Sequence, residues 1–314
     1  MTNLEAEPLW ERPPGRESAA DRGEYAAPAV RSLLDEARAA IPLREARLLL
    51  RHILGVPHAT LEAHPERKVS PQDTAAFRAL VARRATGEPA AYLTGSREFY
   101  GLDFHVTPAV LIPREETELL VDIAREKPAQ CILDLGTGSG CLAIAVAKQL
   151  PQAQVTAVDV SAAALEVARK NAARHGVPVR FLQGDWFAPL EGERFDLILA
   201  NPPYVAEADP HLAQGDVRFE PRGALAAGVQ GMDDIRRIVA GAGAHLVPGG
   251  RLYLEHGYDQ APAVAALLAE AGFVAIEQRQ DLAGIPRVTG GCGIKSGLDA
   301  ACQETLNLTK LVGL

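Results

Sequence analysis

Asn201-Pro202-Pro203-Tyr204 is a tetrapeptide whose residue types and spacing suit a chemical step. An sp² nitrogen, as in an amide or an exocyclic base amine, is a poor nucleophile because its lone pair is delocalised. It needs acceptors that orient its N–H bonds and stabilise positive charge as an electrophilic carbon arrives in line. The Asn201 side-chain oxygen and the Pro202 carbonyl are suitable acceptors, so Asn201, Pro202 and Tyr204 are the catalytic candidates. Pro202 and Pro203 fix the main chain, and Tyr204 offers a flat wall to a planar group. The tetrapeptide can also be read as a simple turn, but it directly follows Phe195–Ala200, which has the look of a buried strand. No Ser/His/Asp or Cys/His arrangement suggests covalent catalysis instead. His256, in Leu254-Glu255-His256-Gly257, reads as a satisfied strand-end residue and not as a base.

A second set of residues describes a place for the electrophile. Cys131–Leu135 leads into Gly136-Thr137-Gly138-Ser139-Gly140 and then into a helical pattern. Glycines let the chain turn tightly and let a ligand approach the backbone, while a helix start favours an anionic group such as a carboxylate. Position 141 is Cys where a dinucleotide fingerprint has its third Gly. That moves the reading from NAD to S-adenosylmethionine, with residues 136 to 140 as contacts. The next strand ends in Asp159, about twenty residues further on, where a carboxylate can accept from both ribose hydroxyls. A plainer role for Asp159 is to help start the following helix, which Ser161 can also do. Gln183-Gly184-Asp185-Trp186-Phe187 follows a third strand. Asp185 can accept from an adenine amine and Trp186 can wall the base; either residue alone is explained as well by packing. Three successive strand ends carrying a Gly loop, an acid and an acid–aromatic pair make a nucleoside site.

The elements that must hold these loops alternate. The patterns predict strands at Gln130–Leu135, Gln154–Val158, Val179–Leu182, Phe195–Ala200, Arg251–Glu255 and Phe273–Glu277. Helices are predicted at Glu115–Arg125, Gly140–Leu150, Ala162–His175, Met232–Leu246 and Gln260–Ala271. The implied fold class is α/β, a Rossmann-like parallel sheet with helices on both faces and ligands at its carboxyl edge. Ahead of it, Val30–Ala40, Leu43–Leu54 and Pro71–Arg84 are helical, so 26–92 reads as a small helical bundle domain. Residues 93–107 read as a hairpin linker, 1–25 as a mobile tail, 108–291 as the catalytic domain and 292–314 as a polar C-terminal tail. Val205 to Gly223, rich in Asp, Pro and Gly, is a candidate lid.

Composition narrows the classes. The chain has 314 residues, 47% of them hydrophobic, with a net charge of −8, so it is globular and poorly suited to generic phosphate-backbone binding. The longest apolar run, Cys141 to Ala147, is too short to span a bilayer. No secretory signal is visible, and four cysteines without a CxxC pair suggest neither a disulfide scaffold nor a zinc site. A cytoplasmic protein without a metal is expected.

The Asn-Pro-Pro-Tyr motif, the Gly loop and Asp185-Trp186-Phe187 together resemble the N5-glutamine methyltransferases of peptide chain release factors. Leu111-Ile112-Pro113-Arg114, Asp209-Pro210-His211-Leu212, Gly215-Asp216-Val217-Arg218-Phe219-Glu220-Pro221 and Leu254-Glu255-His256-Gly257 extend the likeness over about Pro28 to Gly291. The resemblance implies a class I S-adenosylmethionine-dependent methyltransferase acting on the glutamine of the Gly-Gly-Gln motif of class 1 release factors. By similarity Gly136 to Gly140, Asp159, Trp186 and Asn201 bind the donor, and Asn201 to Tyr204 hold the glutamine. The N-terminal domain would help grip the release factor. Glu115 departs from the family's usual Pro, and Cys292 to Leu314 continues past the usual end.

Three alternatives stay open. Adenine-N6 DNA and guanine-N2 RNA methyltransferases present similar loops to planar amines, but duplex enzymes extrude the base and usually carry a basic region. Here Arg44, Arg47, Arg51, Arg78, Arg83 and Arg84 are interleaved with acids and read as a solvated face. A nicotinamide oxidoreductase is disfavoured by the missing third Gly, and a non-catalytic binding module by the intact Asn201 and Tyr204.

Overall fold

The computed structural model describes residues 27–127 and 129–293. The expectations for the tails 1–25 and 292–314 lie outside these residues, apart from Cys292 and Gly293. The chain divides after Thr94 into two compact units.

In the first unit the helices are α1 Val30–Ala37, α2 Leu43–Leu54, α3 His58–Ala63, α4 Pro71–Ala85 and α5 Ala90–Thr94. Ser70 caps α4 by accepting from the Asp73 N–H at 3.0 Å, with Pro71 in the first turn. Gly55 ends α2 in the left-handed conformation. Their apolar stripes meet around Leu33, Leu49, Leu50 and Phe77. The short α3 and α5 are absent from the sequence reading because neither is long enough to show a period. Four of the arginines are paired with acids of this unit: Arg47 with Glu62, Arg78 with Glu36, Arg83 with Glu88 and Arg84 with Glu45.

The second unit begins with the hairpin β1 Ser96–Phe99 and β2 Leu102–His105. Phe99 and Phe104 are buried in this unit's core, so the hairpin is part of its packing. A short 3-10 turn, Glu115–Thr117, then leads into α6 Glu118–Glu126. There follow β3 Cys131–Leu135, α7 Cys141–Gln149, β4 Gln154–Asp159, α8 Ala162–His175, β5 Arg180–Gln183 and β6 Phe195–Ala200. The last elements are α9 Asp233–His245, β7 Leu246–Glu255, α10 Ala261–Glu270, β8 Phe273–Gln280 and β9 Pro286–Gly293. The seven-stranded sheet runs β5-β4-β3-β6-β7-β9-β8.

Strand alternation decides what lies on each face. Ile132, Leu197, Leu199 and Tyr253 pack with α6 and α7, while Leu133, Ile198, Leu252 and Leu254 pack with α9 and α10. By the same period Asp134, two residues after Ile132, and Glu255, two after Tyr253, fall on the α6–α7 face. Both are buried.

The expectation of a parallel sheet is corrected at one edge. Pairings from β5 to β7 are parallel, but β9 lies antiparallel between β7 and β8. β8 and β9 are joined by a tight turn in which the Gly284 N–H donates to the Asp281 carbonyl, and so short a connection permits only antiparallel strands. Gly290 allows β9 to fit: a Cβ there would stand 2.0 Å from the Tyr253 ring. Among the described residues no helix is long and apolar enough to cross a membrane. Cys131 and Cys141 are free thiols, and Cys292 is disulfide-bonded.

Candidate active site

The chain leaves β3 in one direction to build β4 and β5, then crosses back to build β6 and β7. The crevice this reversal opens at the carboxyl ends of the strands is where an open α/β sheet binds ligand. A cavity of about 310 Å³ lies there, lined by Gly136, Gly138, Asp159, Asp185, Trp186 and Asn201 among others.

The glycine turn is held from below. Gly136, Gly138 and Gly140 all have positive φ, which glycine adopts without strain. Buried Asp134 accepts from the Thr137 hydroxyl at 2.6 Å and from the Ala143 N–H, tying the turn to the start of α7. Burial pushes its carboxyl up to about 7. Asp159 closes the turn from β4, one oxygen accepting from the Gly138 N–H and the other from the Ser161 N–H, each at 2.8 Å. Its burial raises its pKa despite these bonds. Asp159 therefore serves the loop and the helix start together while lining the cavity, and Ser161 caps α8 by accepting from the Ala164 N–H.

Trp186 has φ 49°, a region that bulky side chains rarely enter. This bend brings its ring beside Gly136, where a Cβ would stand 3.2 Å from the indole. The indole Nε1–H donates to Asp234 at 3.2 Å, and Arg237 bridges Asp234 and Asp185 at 3.3 and 2.5 Å. Asp185 thus reaches the cavity with one oxygen already engaged. Phe187 turns away and stacks on His245.

At the end of β6 the Asn201 Nδ2 donates to Thr117 Oγ1 at 2.9 Å, and that hydroxyl donates to Glu255 Oε2 at 2.6 Å. The second Glu255 oxygen accepts from the Tyr204 hydroxyl at 3.2 Å. Glu255 is 1% and Thr117 3% exposed, and burial pushes the Glu255 carboxyl up to about 7. Desolvation beside Glu255 also raises Tyr204. The Tyr204 loop is fastened from behind by Gln260, whose amide donates to the Tyr204 carbonyl at 3.0 Å. His256 is buried with Nε2 2.7 Å from Thr289 Oγ1 and Nδ1 2.9 Å from the Gly257 carbonyl. Burial lowers its pKa, and it is a satisfied strand-end residue.

Pro221, Gly223 and Ala224 line the cavity together with Ala109, Val110 and Leu111. The two segments are joined where Arg114 Nη2 donates to both oxygens of buried Glu220, at 2.6 and 2.8 Å.

Not every expected contact reaches the cavity. Thr137 and Ser139 are 4% and 2% exposed and face inward. Gly140 serves packing: a Cβ would stand 2.9 Å from Ile144 Cδ1 and 3.0 Å from Ala168 Cβ. Pro202 and Tyr204 shape and brace the loop, while Asn201 and Pro203 line the cavity. The sequence reading missed Thr117, Glu255, Asp234 and Arg237. Glu255 had a signal, an acid placed two residues beyond an inward-facing position of a buried strand. Among the described residues no cluster of His, Cys, Asp and Glu could hold a metal.

The residues present fit S-adenosylmethionine: an open backbone approach at Gly138, an acid at each of the next two strand ends, an indole wall and an amide oxygen. Fold and site define a class I S-adenosylmethionine-dependent methyltransferase. Residues 115–217 match the family model of the methyltransferase small domain, and 29–95 match that of the PrmC N-terminal domain. The chain is 53% identical over 258 residues to the release factor glutamine methyltransferase of Burkholderia pseudomallei, covering 79% of this chain and 90% of that one. It is equally 53% identical to that of Bordetella pertussis, over 80% and 95% of the two chains. The solved hMettl16 catalytic domain, bound to a MAT2A 3′UTR hairpin, shares the fold at 15% identity and TM-score 0.51, over 69% and 83% of the chains. The chain belongs to the release factor glutamine methyltransferase family.

Proposed function

We propose that this chain methylates the side-chain amide nitrogen of the glutamine in the Gly-Gly-Gln motif of class 1 release factors, using S-adenosyl-L-methionine. The donor supplies a methyl carbon made electrophilic by the attached sulfonium. The observation that carries the reading is the state of Asn201: Thr117 holds its Nδ2, which leaves Oδ1 as an acceptor at the cavity. An acceptor at that point orients an incoming amide N–H and stabilises the positive charge that grows on nitrogen. Beside the cavity that Asn201 and Pro203 line, the Pro202 carbonyl serves as the second acceptor and Tyr204, braced by Glu255 and Gln260, as the wall for the planar amide. Gly136, Gly138, Asp159, Asp185 and Trp186 hold the nucleoside. Thr137, Ser139 and Gly140 contribute by shaping the turn.

The helical unit, 26–92 in our reading, helps grip the release factor, and the reaction takes place in the cytoplasm. A nucleic-acid substrate is disfavoured by the net charge of −8 and by the acid-paired arginines of the first unit. The test is transfer of labelled methyl to release factor, duplex DNA and ribosomal RNA side by side. Label is expected in the release factor and not in a variant whose Gly-Gly-Gln glutamine is alanine. Label that persists in the variant, or enters nucleic acid instead, contradicts the reading.

A further inference from the structure

We infer that Glu255, acting through Thr117, is a positioning residue that fixes which end of the Asn201 carboxamide faces the acceptor substrate. The inference rests on the reading that Asn201 Oδ1 receives the amide N–H.

It follows from counting hydrogens. The Thr117 hydroxyl has one proton, and an ionised carboxylate can only accept. At 2.6 Å from Glu255 Oε2, that proton is committed to the carboxylate. The hydroxyl can then offer Asn201 only a lone pair, so the amide group 2.9 Å away must be the NH₂ end. With the carboxamide turned over, Oδ1 and Oγ1 would face each other with no hydrogen between them. The other Glu255 oxygen takes the Tyr204 proton, so one buried carboxylate sets the direction of both branches. A neutral group cannot do this without reversing one of them, which accounts for a carboxylate where burial disfavours charge. Glu255 does not touch the reacting atoms on this account.

Charged groups around the site enter the pH behaviour. Glu116 opposes ionisation of Glu255 and Arg287 favours it, Arg114 and Glu116 act on Tyr204, and Glu255 acts on the Cys141 thiol. Protonated Glu255 can donate, and the Thr117 proton is then free to turn towards Asn201.

The experiment measures single-turnover methyl transfer, donor affinity by calorimetry, and thermal stability for Glu255→Gln, Thr117→Val, Thr117→Ser and Asn201→Ala. The first two are expected to lower the transfer rate on the order of 10- to 100-fold, the range seen when a supporting group or geometry is lost, with donor affinity held and the fold retained at the assay temperature. Thr117→Ser, which keeps the hydroxyl, is expected to recover most of the rate. The wild-type rate should fall as pH drops through about 7, and Glu255→Gln should flatten that limb. A wild-type rate in Glu255→Gln, or a loss matched by weaker donor binding or unfolding, overturns the inference. If Asn201→Ala keeps the wild-type rate, the underlying reading of the site fails instead.

Discussion

Asn201 and Asp159 carry the two halves of the chemistry, and their contacts separate their effects. Asn201 touches the protein through Nδ2 and leaves Oδ1 for substrate, so Asn201→Ala should lower kcat by about 10²- to 10³-fold, the loss typical of one oxyanion-type partner, with donor affinity largely kept. An unchanged kcat contradicts the role. Asp159 accepts from Gly138 and Ser161 at 2.8 Å, so Asp159→Ala removes both a ribose acceptor and the clasp of the glycine turn. We expect a loss of about 1–3 kcal/mol in affinity for S-adenosylhomocysteine, the scale of a hydrogen bond to a charged group; unaltered calorimetric affinity removes Asp159 from the site. Both residues were legible in the sequence because they stand at strand ends beside turn-forming neighbours. Thr117 was not, and Glu255 was signalled only by the alternation of its strand. Thr117 sits 84 residues from Asn201, in the short turn before α6, and a pairing over that separation is encoded by no local pattern. Asp185 was legible as a lining acid, but its engagement by Arg237 from α9 was not.

Among the elements, α7 and α8 meet at Gly140, where φ is 81° and a Cβ would press on Ile144 and Ala168. Gly140→Ala should therefore cost about 1–3 kcal/mol of stability through overpacking and backbone strain and weaken donor binding through the same turn. A melting temperature equal to wild type contradicts this. The Arg114–Glu220 pair ties the segment after Leu111 to the segment before Pro221, and Leu111 and Pro221 both line the cavity. Glu220→Gln removes the charge that both hydrogen bonds rely on, and calorimetry should show weaker donor binding with the fold retained; unchanged affinity would show that this pair does not shape the cavity. The alternating elements were readable from apolar runs and Gly or Pro punctuation, and Ser70-Pro71 gave the start of α4. The antiparallel β9 was missed because Gly290 and Gly291 dilute its strand pattern. The reason for glycine there, the ring of Tyr253, lies on another strand.

For the whole molecule, two buried carboxyls give the pH response a definite sign. Asp134 and Glu255 are raised to about 7, so at these two groups the folded chain holds more protons than the unfolded one between the ordinary carboxylate range and pH 7. Their stability contribution is full at low pH and is lost as pH rises through about 7. His256, lowered by burial, acts in the opposite direction. The comparison that isolates Glu255 is therefore wild type against Glu255→Gln: the melting temperature of the variant should gain on wild type from pH 6 to pH 8, while transfer by wild type improves over the same interval. Equal slopes contradict a buried titrating Glu255. Composition fixed little of this, since a charge of −8 says nothing about which acids lie inside. The measurement that bears most directly on the central claim is site-mapped mass spectrometry of a class 1 release factor incubated with this protein and S-adenosylmethionine. The account predicts one methyl group on the side-chain nitrogen of the Gly-Gly-Gln glutamine, and a far smaller yield with Asn201→Ala at an exposure short enough to report the initial rate. Methyl groups at another residue, or an equal yield from the variant, would contradict it.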